Sequence, residues 1–236
     1  MLCKIAGLIT DVPAAGGLAP RCQDYLWSST EGADIIIRSE FYEPHRYDPP
    51  LTETTLAYME SARLFYRELV KFGGFYLHSS AVVREGKAYL FSGNPGAGKS
   101  THTRLWLATF GGDTRVINDD KPALRCIDGV WYAYGTPWCG KDGININERA
   151  PVAGVCFLKK APVNRIRRLS SMEAMQRILT QTIYKFQTEA VLDQMVGHLD
   201  SFLRQIPVYE LENRPEPEAA QLSFETMYHG AQEVGL

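Results

Sequence analysis

The residues best equipped for chemistry are the run Gly93-Asn94-Pro95-Gly96-Ala97-Gly98-Lys99-Ser100, in which four residues separate the first glycine from Gly-Lys-Ser. That is the spacing of a phosphate-cradling P-loop. Glycines at 93, 96 and 98 open backbone conformations closed to residues with a Cβ, so that consecutive N–H groups can turn toward one anion. Lys99 adds a point charge that reaches the outer phosphates, the Ser100 hydroxyl is an oxygen ligand for Mg²⁺, and Thr101 is a further nucleotide contact. Asp119 and Asp120 follow about twenty residues beyond Lys99. Two adjacent carboxylates there suit two tasks, one holding Mg²⁺ and the other accepting a proton from an attacking hydroxyl. Like charges beside a cation push the pair's titrations apart, which fits one of them for base duty. The plain alternative is a solvated Asp-Asp turn ahead of Lys121-Pro122.

Other polar residues are less specific. His78, in Phe75-Tyr76-Leu77-His78-Ser79-Ser80, is placed to position a phosphate or the reacting hydroxyl, although a histidine on a strand is more often structural. The run Gly135 to Lys141 is a second glycine-bounded loop, with Lys141 as a further phosphate contact or an exposed turn with Trp138 packed beneath it. No activating histidine neighbours Cys139, so it reads as a small loop residue rather than a nucleophile. His102 reads as structural, and Asn145, Asn147, Glu148 and Arg149 as residues with access to a substrate site.

The elements that must position these groups are legible from pattern. Ala88 to Ser92 reads as a strand entering the loop, and Lys99 to Phe110 as a helix leaving it, ended by Gly111-Gly112. Such a helix aims its positive end at the phosphates. Phe75 to Val83 and Lys87 to Ser92 form two strand-like runs joined by Arg84-Glu85-Gly86, so a β-hairpin feeds the loop and the sheet is expected to be mixed. Apolar spacing predicts a helix over Thr52 to Lys71, ended by Gly73-Gly74. Downstream, strands are expected at Thr114 to Ile117, Ala123 to Ile127, Val130 to Tyr134, Val152 to Lys159 and Val208 to Glu212. Ser170 and Glu173 have capping-box spacing ahead of a helix carrying Met175, Ile178, Leu179, Ile183 and Phe186. A second helix stops at Pro207, and a last one follows the Pro215 to Pro217 break. Residues 1–50, broken by prolines and glycines, read as a β-rich entry segment with strands at Lys4 to Ile9 and Asp34 to Arg38. With no clear linker, 1–236 reads as one domain whose nucleotide-binding core is about 72–160.

Composition narrows the classes. With 236 residues, 45% hydrophobic, and a net charge of -2, the chain has no global basic field, which argues against nucleic acid as a partner. The basic run Lys159-Lys160, Arg165, Arg167 and Arg168 reads as a solvated face or a docking surface for an acidic partner. The 5 cysteines contain no Cys-x-x-Cys pair and suggest neither disulfides nor zinc. No run approaches the ~20 apolar residues that span a bilayer, and the first residues are too short an apolar run for a signal peptide, so a cytoplasmic location is expected.

Taken together, Leu77-His78-Ser79, the loop Gly93 to Ser100 and the short return to Asn118-Asp119-Asp120 resemble the HPr serine kinase/phosphorylase family. The match covers about a fifth of the chain, roughly residues 75–122. The resemblance implies an α/β fold, a mixed-sheet P-loop domain of the phosphoenolpyruvate-carboxykinase/HPr-kinase type with flanking helices, in a compact member. It further implies that His78 belongs to the active site, that Lys99 binds the β and γ phosphates, that Ser100 with Asp120 organises Mg²⁺, and that Asp119 is the base. Neither the additional N-terminal domain nor the glycine-rich phosphorolysis signature of the HPr kinases is found, whereas the Gly135 to Lys141 loop looks like that of small relatives that phosphorylate precursor peptides. The expected activity is ATP- and Mg²⁺-dependent transfer to a serine hydroxyl of a protein or peptide. A nucleotide-binding regulatory module and a small-molecule kinase are the alternatives.

Overall fold

The computed structural model describes residues 1–14, 17–28, 30–112, 114–182 and 188–235. The first strand expected, Lys4 to Ile9, is instead a tight hairpin. Ala6 and Gly7 both take positive φ, +51° and +78°, and fold β1 (Leu2–Ile5) back onto β2 (Leu8–Asp11). After the short helix α1 (Leu18–Arg21), β3 (Ile35–Ile36) pairs parallel with β2 and completes a three-stranded sheet. Helix α2 (Glu53–Leu69) follows, with Thr52 accepting a hydrogen bond from the Thr55 N–H as N-cap. It passes into a 3₁₀ turn that ends at Gly73, φ +73°. Its apolar face packs Phe65, Tyr66 and Leu69 with Ile5, Leu18 and Trp138 into one core.

The large sheet begins at β4 (Gly74–Tyr76), and here the expected continuous strand breaks. β4 pairs with β8, whereas β5 (Ser79–Arg84) pairs with β6 (Lys87–Ser92) and β7 (Arg115–Asp120). Leu77 and His78 are the crossing between the two halves of the sheet, which takes His78 off the hairpin and out of its ladder. Between β6 and β7 runs α3 (Lys99–Phe110), closed by Gly111 at φ +51°. β8 (Ala123–Ile127) and β9 (Val130–Tyr134) form the expected hairpin across Asp128-Gly129, both at positive φ. β10 (Arg149–Lys160) is the long central strand, antiparallel to β9 and parallel to β6.

β11 (Arg165–Arg168) is then a short edge strand. Its partner is β12 (Val208–Asn213), itself parallel to β10. The basic run thus meets its own acids: Arg165 and Lys159 pair with Glu212, and Arg167 with Glu210 and Glu173. Helices α4 (Ser171–Leu179), α5 (Glu189–Gln205) and α6 (Pro217–Glu233) complete the fold. The expected continuation of α4 through Ile183 and Phe186 falls outside the described residues.

Among the described residues the architecture is mixed α/β, a nine-stranded sheet flanked by helices on both faces. Period-two alternation explains why both faces are covered. Ala81, Val83, Ala88 and Leu90 face Ile178, Leu199 and Phe202 on the α4/α5 side. Val82, Tyr89 and Phe91 face Trp106 and Met227 on the α3/α6 side. Fully burying each large apolar side chain is worth ~1.5–3 kcal/mol, so the hairpin that carries the phosphate loop is among the most firmly held parts of the chain. Among the described residues no helix is long and apolar enough to cross a membrane.

The capping box of α4 is formed in both directions between Ser170 and Glu173. The Ser170 backbone N–H, then its hydroxyl and Arg167, hold the Glu173 carboxyl down to about 2. A carboxyl lowered in the folded state stabilises above its unfolded value and loses that contribution as pH falls toward the folded one. Glu173→Gln is therefore expected to flatten the loss of stability between about pH 4.3 and pH 2 in denaturant titrations. Wild-type and variant curves that run parallel through that window would count against the role.

Candidate active site

The phosphate loop owes its shape to its glycines. Gly93, Gly96 and Gly98 sit at φ +144°, +79° and +104°, where a side chain strains the backbone. A Cβ on Gly93 would also lie 3.1 Å from the Leu158 carbonyl oxygen on the neighbouring strand. Helix α3 starts directly behind the loop with no side-chain cap. Its first N–H groups are thereby left for an anion. Lys99 Nζ folds back to donate to the Gly93 carbonyl at 3.0 Å, and burial lowers its pKa against the pull of Asp120 and Asp119.

β7 delivers the two aspartates to the same place, but with different partners. Asp119 Oδ2 lies 3.5 Å from Ser100 Oγ, and its Oδ1 accepts a short hydrogen bond from the Ser80 hydroxyl on β5. Asp120 Oδ1 lies 2.9 Å from His78 Nε2, and its other oxygen is paired with Lys121. Burial alone would raise the Asp120 carboxyl; the His78 hydrogen bond and the Lys121 charge overcome that and hold it well below the usual carboxylate range. Ser100 thus touches Asp119, whereas the sequence reading has Asp120 share Mg²⁺ with it. Asp120, the last residue of β7, turns out of strand conformation at φ +115°, which brings its carboxylate into the same cleft as Asp119 but toward His78 and Lys121.

His78 sits between Asp120 and Gln181. Its backbone N–H donates to the Gln181 carbonyl at 2.8 Å, and its Nδ1 lies 3.0 Å from Gln181 Oε1. Gln181 Nε2 in turn reaches Asn94 Oδ1 of the phosphate loop at 3.5 Å. Gln181, just past the end of α4, was not singled out from sequence, nor was Ser80. Asn118 was also missed as a support. Its Nδ2 donates to the carbonyls of Thr136 and Trp138, and its Oδ1 accepts from the Lys121 N–H, which ties the second glycine-bounded loop to the end of β7.

That second loop closes over the site. Gly140 approaches so nearly that a Cβ there would be 3.1 Å from Asp119 Oδ2. Trp138 is buried under the loop, as expected, with its Nε1 donating to Ser61. Cys139 is buried, its thiol pushed up by that burial despite Arg21, whose Nη1 donates to Sγ at 2.7 Å. Asn145 and Asn147 donate to the carbonyls of Arg21 and Asp24, Glu148 pairs with Arg115, and Arg149 donates to the Tyr134 hydroxyl. These four anchor the loop and its neighbours.

His78, Pro95, Gly96, Lys99, Ser100, Asp119, Asp120 and Lys141 all line one cleft of about 1060 Å³. Arg21 and Tyr58 from the N-terminal part form its far wall. Ala97, Gly98 and Thr101 instead line a separate cavity on the other side of the loop. Gly93 and Asn94 line neither cavity; Gly93 is buried at the end of β6, and Asn94 is exposed and reached by Gln181.

No family model matches the chain, and no curated protein matches it. Forty-five chains of solved structures do. One is the HPr(Ser) kinase/phosphatase from Coxiella burnetii, 13% identical, with a TM-score of 0.35, covering 67% of this chain and 96% of that one. A likeness this loose assigns neither activity nor residues.

Proposed function

We propose that the protein is an ATP- and Mg²⁺-dependent kinase that transfers the γ-phosphoryl group to a hydroxyl, with the serine of a protein or peptide as acceptor. The observation that carries the proposal is the convergence of a positive-φ phosphate loop and two differently partnered carboxylates on one cleft. Ser100 and Asp119 present hard oxygen donors to one point, the donor chemistry Mg²⁺ takes when substrate phosphates complete its shell. When bound, the ion offsets the charge of the β and γ phosphates. Lys99 trades its contact with the Gly93 carbonyl for a phosphate oxygen, and the α3 N-terminus adds its dipole.

The partners of the two aspartates favour a division of labour opposite to the one expected from sequence. Asp119 belongs with the metal-binding pair. Asp120, held by His78 and Lys121, takes the acceptor's proton as the new O–Pγ bond forms and the bond to the ADP oxygen breaks. A carboxylate this well held is ionised throughout the neutral range, and the loose transition state of phosphoryl transfer asks for little basicity. The cleft is far larger than a γ-phosphate needs, and its outer wall comes from the N-terminal part, which leaves room for a polypeptide segment.

The test is transfer from γ-labelled ATP to a library of serine-containing peptides and proteins, with Mg²⁺ present or chelated. Metal-dependent labelling of a serine is expected. Tight Mg-ATP binding with no labelled acceptor across the library would instead favour a regulatory module, and label on a metabolite would favour a small-molecule kinase.

A further inference from the structure

Leu77 and His78 cross between the two halves of the sheet, so no strand ladder fixes the backbone that carries the His78 imidazole. Its polar atoms are held by other means. The backbone N–H donates to the Gln181 carbonyl at 2.8 Å, and the backbone carbonyl accepts from the Ser92 hydroxyl at 2.7 Å. On the ring, Nε2 faces Asp120 Oδ1 at 2.9 Å and Nδ1 faces Gln181 Oε1 at 3.0 Å. Gln181 thus holds His78 twice, once at the backbone and once on the side of the ring away from the carboxylate.

Gln181 is itself anchored from outside the site. It is buried, and its N–H donates to the Ile178 carbonyl at 2.9 Å, at the end of α4. Ile178 is fully buried in the core that α4 and α5 share with the sheet. The capping box fixes the start of the same helix, and Arg177 pairs with Glu210 on β12. A helix docked on the sheet therefore sets where the amide stands. Gln181 Nε2 lies 3.5 Å from Asn94 Oδ1 of the phosphate loop, so one side chain spans from that loop to the histidine that holds Asp120. An amide suits the place because it carries an acceptor and donors on one short plane. A ring tethered at Nε2 alone is free to turn about its side-chain torsions, and a second tether at Nδ1 stops it.

We infer that Gln181 is a positioning residue for phosphoryl transfer, fixing the His78 ring, and through it the Asp120 carboxylate, at a set place relative to the phosphate loop. The inference rests on the kinase reading with Asp120 as base and adds a residue that does not line the cleft. Gln181 thus acts through His78 and not on the reacting atoms. Reaction geometry tolerates little error, since a shift of ~1 Å costs about 10²-fold in rate.

The experiment measures transfer from γ-labelled Mg-ATP to the serine peptide that the library labels most strongly, with Mg-ATP affinity by calorimetry alongside. Gln181→Met keeps the length of the side chain and removes the amide. It is expected to lower kcat by about 10–100-fold while the Kd for Mg-ATP stays within about twofold of wild type. In His78→Ala protein the same substitution is expected to cost less than about twofold more, because the group it acts through is gone. A readout independent of turnover is the ¹⁵N resonance of His78 Nδ1 in histidine-labelled protein, identified by its loss in His78→Ala and expected to move in Gln181→Met. Gln181→Asn, which keeps an amide but withdraws it by one methylene, is expected to show the same loss of kcat and serves if the methionine variant does not fold. Wild-type kcat in a folded variant, a loss carried by Mg-ATP affinity instead of kcat, losses that multiply in the double variant, an unmoved His78 resonance, or failure of both variants to fold each overturn the positioning role and leave the kinase reading standing. Wild-type protein that labels no acceptor overturns both.

Discussion

Asp120→Asn is expected to lower phosphoryl transfer by about 10²–10⁴-fold, the range a positioned general base supplies, with Mg-ATP binding left close to wild type. The reason lies in where the carboxylate points. Asp120 contacts His78 and Lys121 but not Ser100, so the amide removes the proton acceptor without disturbing the loop hydroxyl. Asp119→Asn is expected to do the reverse. It strips the charge beside Ser100 and so weakens Mg²⁺-dependent nucleotide binding, which titration of nucleotide at fixed and varied Mg²⁺ reads directly. If Asp119→Asn kept Mg-ATP binding and lost only turnover while Asp120→Asn stayed active, the assignment would return to the one read from sequence.

Lys99→Met is the second large effect, with turnover down by about 10²–10³-fold, the scale on which a preorganised charge stabilises a transition state. Methionine keeps the apolar stem and removes only the ammonium. In the structure that ammonium holds the Gly93 carbonyl and, among the described residues, forms no direct ion pair, so its loss costs the fold little. Thermal unfolding is expected to shift by no more than about 2–4 °C, the effect of ~1 kcal/mol in a chain of this size. Unchanged turnover in folded Lys99→Met protein would remove the lysine from the mechanism.

What could be read ahead of the structure was whatever local pattern encodes. The strand, loop and helix around Gly93 to Ser100, the hairpin of β5 and β6, the cap of α4 and the Asp128-Gly129 turn each depend on residues a few positions apart, and each formed as expected. The misses have a different physics. Lys4 to Ile9 looked like one strand because Ala6 gives no turn signal, and its positive φ is fixed by hairpin pairing. Likewise, Phe75 to Val83 looked continuous because nothing in its apolar pattern records that β4 and β5 join different partners. Gln181 reaches His78 from 103 residues away along the chain and Ser80 reaches Asp119 from 39, and no spacing rule links these pairs. The cavity behind the loop is similarly invisible, since the ends of β10 and β12 enclose it only once the sheet is built. Small polar residues in an otherwise apolar strand, Ser79-Ser80, were the one clue available.

The backbone at Asp120 carries a consequence for substitutional tolerance. At φ +115° the residue occupies territory that glycine enters freely and that a side chain resists. Folding and chemistry therefore rank the amino acids at this position in opposite orders: glycine relieves the backbone and abolishes the carboxylate, while glutamate keeps a carboxylate, keeps the strain and reaches too far. If Asp120 is the base proposed above, aspartate is the compromise, neither the most comfortable residue for the chain nor replaceable in the reaction. A site under such opposed pressures is bought with stability supplied elsewhere, here by the apolar layers packed on both faces of the sheet.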